Sequence, residues 1–326
     1  MFRTYLFVLA LLLIACSNNN LREDKILTKE PYKSLTDSIK MTNSDPELYY
    51  RRGVLLYQNE QFKLARTDIE KAWSLQKKED YALSLATIMR RSNEDSAILF
   101  LQKAIVTIPR SIALKISLAR GYQKQNNLEK ALEICNKVIS EYPNQIDALV
   151  LKSELLKSKG NFTDALLSLQ RAYNYAPFDV ELVHTLAFDY AEAKNPKALK
   201  LADSLIRNDM NEIHPEPYYF KGVYYMNTGN EAEALNQFDL AIRRDYYFLD
   251  AYMEKGQIYF KRKNYNEAIK TFQLATTITP TFADAYLWIG KAQEALGKNA
   301  DAKLNYQRAY GLDKSLSEAK EAAGRL

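Results

Sequence analysis

Two histidines, His184 and His214, and two cysteines, Cys16 and Cys135, are the chain's whole stock of side chains suited to soft metals or to titration near neutrality. Paired at short spacing they could hold zinc, and a histidine beside a nucleophile could serve as general base. The spacing supports neither. The sequence has no His-x-x-x-His or Cys-x-x-Cys pair, so no metal site is expected. Gly290, Gly297 and Lys298 miss the Gly-x-x-x-x-Gly-Lys-Ser/Thr spacing that cradles phosphate. Glu231 and Glu233, and the basic run at 261–263, fall in polar tracts between apolar segments, where charge solvates a turn. A reaction centre would have to assemble around His184, Phe188 and His214. The expectation is a protein that is not an enzyme, with no catalytic residue, metal or cofactor.

Composition narrows the rest. A chain of 326 residues with 47% hydrophobic side chains can bury a core in one to three domains. Ten glycines, nine prolines and few Asn-Gly or Asp-Gly pairs argue against a β-rich fold. The formal charge of +5 is small, its signs are interspersed, and no basic arm occurs, so no nucleic-acid partner is expected. The two cysteines sit in unlike surroundings, which excludes a disulfide framework.

Cys16 has the most informative context. Arg3 is followed by an apolar run of about ten residues from Leu6 to Ala15, half of the roughly 20 that a spanning helix needs. Leu13-Ile14-Ala15-Cys16, followed by Ser-Asn-Asn-Asn, resembles the lipobox of bacterial lipoproteins. The resemblance implies a signal peptide at 1–15, cleavage before Cys16, and acylation of its sulfur and new amino group. Loss of Arg3 leaves about +4, from 44 basic and 40 acidic residues. Ser17 stands where an inner-membrane retention signal has aspartate. The implied location is the cell envelope, lipid-anchored in the outer membrane and facing the periplasm. Residues 16–45 read as the lipidated cysteine and a polar tether, with a short helix from Tyr32 to Met41 that has Leu35 and Ile39 on one side.

Beyond the tether the chain repeats. Tyr252, Gly256, Ala268, Phe272 and Ala275 recur 34 residues later as Tyr286, Gly290, Ala302, Tyr306 and Ala309, and 34 earlier as Tyr218, Gly222, Ala234, Phe238 and Ala241. Such a period predicts an α-solenoid of helix-turn-helix units. A small residue is needed where two helices cross closely, aromatics fill the space beside it, and a proline such as Pro280 stops the second helix. These positions resemble the tetratricopeptide repeat family. The resemblance implies an all-α superhelix of about eight units over 46–316. These are 46–79, 80–111, 112–145, 146–179, 180–214, 215–248, 249–282 and 283–316, with a capping helix at 317–326. Asp45 reads as the helix cap before Pro46. Gly53, Gly222, Gly256, Gly290, Ala234, Ala268 and Ala302 are expected to pack the crossings, and Cys135 to be core. Units 80–111 and 180–214 are degenerate. The first keeps Ala97, Leu101, Ala104 and Pro109. The second keeps Ala187 and Tyr190, but Ala-Glu-Ala-Lys-Asn-Pro-Lys-Ala reads as a shortened turn.

The resemblance also implies that the first helix of each unit lines a concave groove with its fifth, ninth and twelfth residues. These are Tyr219, Val223 and Met226, then Met253, Gln257 and Phe260, then Leu287, Lys291 and Glu294. The first unit places Tyr50, Val54 and Tyr57 there; the middle units place Arg120, Gln123, Val150, Glu154 and Lys157. Either these side chains pack against adjacent helices, or they form an apolar groove for a peptide segment. The family's clamp for acidic chaperone tails needs Lys fifth and Asn ninth. Tyr50 and Val54, Ile116 and Arg120, and Tyr219 and Val223 stand there instead. The expected function is a non-enzymatic, membrane-tethered scaffold that binds protein partners in envelope assembly, its partners being other proteins and the bilayer. The plan is similar to that of pilotins, outer-membrane assembly subunits and adaptors of cell-wall hydrolases. The alternatives are a self-associating structural envelope protein, or an adaptor regulating a cell-wall or secretion enzyme.

Overall fold

The computed structural model describes residues 25–209 and 213–326. Cys16 and the expected signal peptide lie outside them. Eighteen α-helices lie wholly within the described residues, which hold no strand, and the chain divides into two units, one ending at Ser168 and one starting at Leu169. The first unit contains α1 (Lys33–Met41), α2 (Pro46–Gln58), α3 (Phe62–Leu75), α4 (Glu79–Ser92), α5 (Glu94–Thr107), α6 (Ile112–Lys124), α7 (Leu128–Glu141) and α8 (Ile146–Ser158). The division falls within α9 (Phe162–Tyr175). The second unit continues with α10 (Val180–Glu192), α11 (Lys197–Asn208), α12 (Glu216–Asn227), α13 (Glu231–Arg244), α14 (Leu249–Lys261), α15 (Tyr265–Ile278), α16 (Ala283–Ala295), α17 (Asn299–Leu312) and α18 (Ser317–Arg325). From α2 to α17 these helices form the eight pairs that the repeat predicts.

Local chemistry starts and stops them. Asp45 accepts the Glu47 N–H at 2.8 Å with Pro46 in the first turn, and Ser111 and Asp179 cap α6 and α10 in the same way. Most pairs turn through three residues, and the middle one is left-handed: Glu60, Asn126, Gly160, Gly229, Lys263 and Gly297 all have positive φ. Two pairs depart. In α4–α5 the connection is Asn93 alone, whose side chain accepts from Ser96 N. With two residues fewer than the other turns, this pair departs from the common spacing, which is why unit 80–111 reads as degenerate. In α10–α11 the expected shortened turn is instead longer, running from Ala193 to Pro196. Lys194 keeps the left-handed position at φ 55°, so the register slips only after it.

Packing follows the small-residue rule. A Cβ on Gly222 or Gly256 would overlap the ring of Phe238 or Phe272, and one on Gly290 would come within 2.8 Å of Tyr306. Gly53 is closed by Ile69 in the same way. Ala234, Ala268 and Ala302 are fully buried beside those rings, and Cys135 is fully buried, its thiol pushed up to about 12 by burial. Tyr252, Phe272, Tyr286 and Tyr306 form the core of the last pairs, which α18 closes with Ala319, Ala322 and Ala323.

The tether reading needs correction at its C-terminal end. Helix α1 lies where expected, but it is docked: Tyr32, Thr36 and Ile39 are buried against the first pair, while Leu35 is half-buried. Arg52 fixes it. Its guanidinium grips the Asp68 carboxylate through Nε at 2.6 Å and Nη2 at 2.7 Å, and Nη1 donates to the Thr36 hydroxyl at 3.0 Å. Thr36 in turn donates to the Leu27 carbonyl at 2.7 Å. Among the described residues no helix is long and apolar enough to cross a membrane.

Candidate partner-binding cleft

An open cleft of about 630 Å³ lies on the first helices of the first unit. Ile112, Ala113 and Ile116 of α6 make an apolar floor; Arg110 and Arg120 stand on the rim with Glu79 and Asp147. Both arginines are exposed. The Arg120 guanidinium reaches Glu154 of α8 at 3.5 Å, a loose pair that a ligand could displace. Beside the cleft, Arg90 of α4 donates to Glu94 of α5 at 2.9 Å and to the Ser117 carbonyl and hydroxyl of α6 at 3.2 Å. A second cleft, about 360 Å³, is lined by Leu35 of α1 with Tyr50, Val54 and Leu55 of α2. An apolar floor with a charged rim suits a peptide segment and holds no nucleophile–base pair.

The second unit is built differently. Of the groove residues expected there, Val223, Met253 and Leu287 are 2%, 8% and 5% exposed and belong to the core. Tyr219, Met226, Gln257 and Phe260 are half-buried. Tyr219 stacks on Phe188 at 6.2 Å and meets Phe238 and Phe248 at 5.8 and 5.4 Å. Phe260 sits edge-on to Trp288 and Tyr265, both at 5.3 Å. Packing between first helices uses most of these side chains. Beside Tyr219 lies a carboxylate group. Burial raises the Glu254 pKa, and the charges of Glu192 and Asp250 raise it further. The same three acids follow burial in raising the Tyr219 hydroxyl.

The histidines make no reactive pair. His184 is edge-on to Phe220 at 5.7 Å, and burial lowers its pKa; His214 Nδ1 is 3.8 Å from Glu216. Among the described residues no group of His, Cys, Asp or Glu could hold a metal. Sequence reasoning placed Arg120 on an inner face but missed Arg110, Glu79 and Asp147, which sit at helix ends and connections. The available signal was α6 itself, with Lys115, Arg120 and Lys124 and no acid.

Residues 46–79, 215–247 and 283–316 match the tetratricopeptide repeat, as do residues 117–144, and residues 256–297 match the TPR repeat. The chain carries tetratricopeptide repeats. No curated protein matches its sequence. Among solved structures it is similar to a tetratricopeptide repeat protein from Parabacteroides merdae, with a TM-score of 0.62 and 18% identity over 75% of this chain and 97% of that one. It is also similar to PilW, described as a widely conserved type IV pilus biogenesis factor, with a TM-score of 0.52 and 16% identity over 64% of this chain and 95% of that one. Similarity to the Cut9–Hcn1 hetero-tetramer of the APC/C has a TM-score of 0.52 and 14% identity, over 91% of this chain and 59% of that one. At these identities the likeness is one of fold, the tetratricopeptide-repeat solenoid. Such repeats act as protein-interaction scaffolds, typically without catalysis, and no enzyme family is matched.

Proposed function

We propose that the protein is a lipid-anchored adaptor of the bacterial cell envelope, held at the outer membrane through Cys16 and facing the periplasm. There it captures a partner protein's segment in the α6 cleft. The observation that carries the capture site is the open apolar floor of Ile112, Ala113 and Ile116 beneath two exposed arginines. The lipobox resemblance supports the anchor, and two acyl signals on one cysteine suffice for stable membrane attachment. The role is to keep other envelope proteins in place without reaction chemistry; PilW, similar in fold, is described as a type IV pilus biogenesis factor.

In-cell crosslinking and affinity capture test it, comparing the native chain with Arg110→Glu/Arg120→Glu. Both side chains are exposed, so the variant is expected to keep its melting curve and lose its partners. An unchanged partner set would remove the cleft from the reading. Cys16→Ser is expected to leave the membrane fraction; retention there would remove the anchor.

A further inference from the structure

Leu35 of α1 forms one wall of the smaller cleft, and Tyr50, Val54 and Leu55 of α2 form the other. Leu35, Val54 and Leu55 are only half-buried, so apolar surface lies open between the two helices. Arg51 and Gln58 stand on the rim, both exposed. Arg51 makes no ion pair among the described residues, whereas its neighbour Arg52 is buried and closed on Asp68. Open apolar walls beside an unpaired cation fit a short segment that carries an apolar side chain and an acid.

The chain brings such a segment to the cleft. Ile26 and Leu27 pack on the same buried cluster as Tyr50 and Leu55. The Leu27 carbonyl accepts from the hydroxyl of Thr36, the residue next to Leu35, which pins the backbone beside the cleft. The described residues begin at Lys25, and before it stand Leu21, Arg22, Glu23 and Asp24. From Leu27 back to Leu21 an extended chain reaches roughly 20 Å. The cleft needs less, since α2 rises only about 12 Å between Tyr50 and Gln58. Alternation along an extended segment puts Leu21 and Glu23 on one side, Arg22 and Asp24 on the other. Leu21 then matches the apolar walls, and Glu23 matches Arg51. A segment tethered this closely acts at an effective concentration on the order of millimolar, which a partner in solution would have to exceed.

We propose that residues 21–24 seat in the cleft between α1 and α2, so that the chain's own N-terminal stretch covers the groove positions Tyr50 and Val54. Foreign segments are thereby kept out of the first pair. The proposal stands apart from the Cys16 anchor and the α6 cleft and holds or fails without them. The test uses the purified full chain with the photocrosslinker p-benzoylphenylalanine in place of Leu21, mixed in equal parts from normal and heavy-nitrogen-labelled preparations. Crosslinked peptides are read by mass spectrometry. The expected result is crosslinks to Tyr50, Val54, Leu55 or Gln58 within one copy. Arg51→Glu is expected to lower their yield several-fold, and Glu23→Arg added to it to restore the yield, a rescue that a misfolded variant would not show. Crosslinks joining a normal to a labelled copy overturn the proposal and assign the cleft to a second chain. Crosslinks that miss α2 overturn it as well. A yield indifferent to Arg51→Glu overturns the seating in which Glu23 meets Arg51.

Discussion

In every pair but α4–α5 the turn places one residue in the left-handed region, whichever residue occupies it. Glu60, Asn126, Lys194 and Lys263 have φ between 55° and 61°, close to Gly160, Gly229 and Gly297 at 74° to 84°. An L-residue there carries about 1–2 kcal/mol of steric strain that glycine avoids. Lys263→Gly is therefore expected to raise stability by about 1 kcal/mol, and Gly229→Ala to lower it by about as much, in denaturant titration. The crossing glycines obey a different constraint, contact rather than torsion. Gly256→Ala would drive a methyl into the Phe272 ring, with an expected loss of about 1–3 kcal/mol. An unchanged melting temperature would mean that the helices do not cross there.

At the level of elements, α1 hangs on one buried ion pair. Arg52 and Asp68 are both nearly inaccessible, and their bonds reach the helix only through Thr36. Arg52→Ala leaves Asp68 buried without its cation, and a loss of about 3–5 kcal/mol is expected. Hydrogen exchange should then rise first in α1. Uniform exchange across the first pair would mean that α1 is held by its apolar face alone. The same contrast decides how much could be read from the sequence. Spacing revealed the eight pairs because a glycine and a ring that must interlock recur together, as with Gly222 and Phe238. It did not reveal the docking of α1, since Arg52, Thr36 and Asp68 form a contact without a period. It left open whether Val223, Met253 and Leu287 pack or line a groove, because whether an inner-face residue is open depends on how closely neighbouring first helices approach. It also missed the cleft, since Glu79, Arg110 and Asp147 converge only when three connections meet in space.

Across the molecule, charge distinguishes the two units. The α6 helix carries only cations, whereas the inner face of the second unit gathers Glu192, Asp250 and Glu254. Because the Glu254 pKa is raised in the folded state, the native form binds a proton more readily than the unfolded chain does. Stability from this group is complete below the ordinary carboxylate range and declines as pH rises through the raised value. Glu254→Gln is expected to flatten that decline and to stabilise the second unit near neutrality, measured by melting between mildly acidic and neutral pH. A decline of the same size in the variant would shift the cause to other groups.

Helices α1 and α18 finish the array at its two ends, one with Tyr32 and Ile39, the other with three alanines. With these helices covering the first and last pairs, copying or deleting an interior pair changes the number of repeats without uncovering either. The left-handed turn, which tolerates glutamate, asparagine, lysine or glycine, makes such a splice permissive in its loops. Length can then vary in descent while both covers stay as they are.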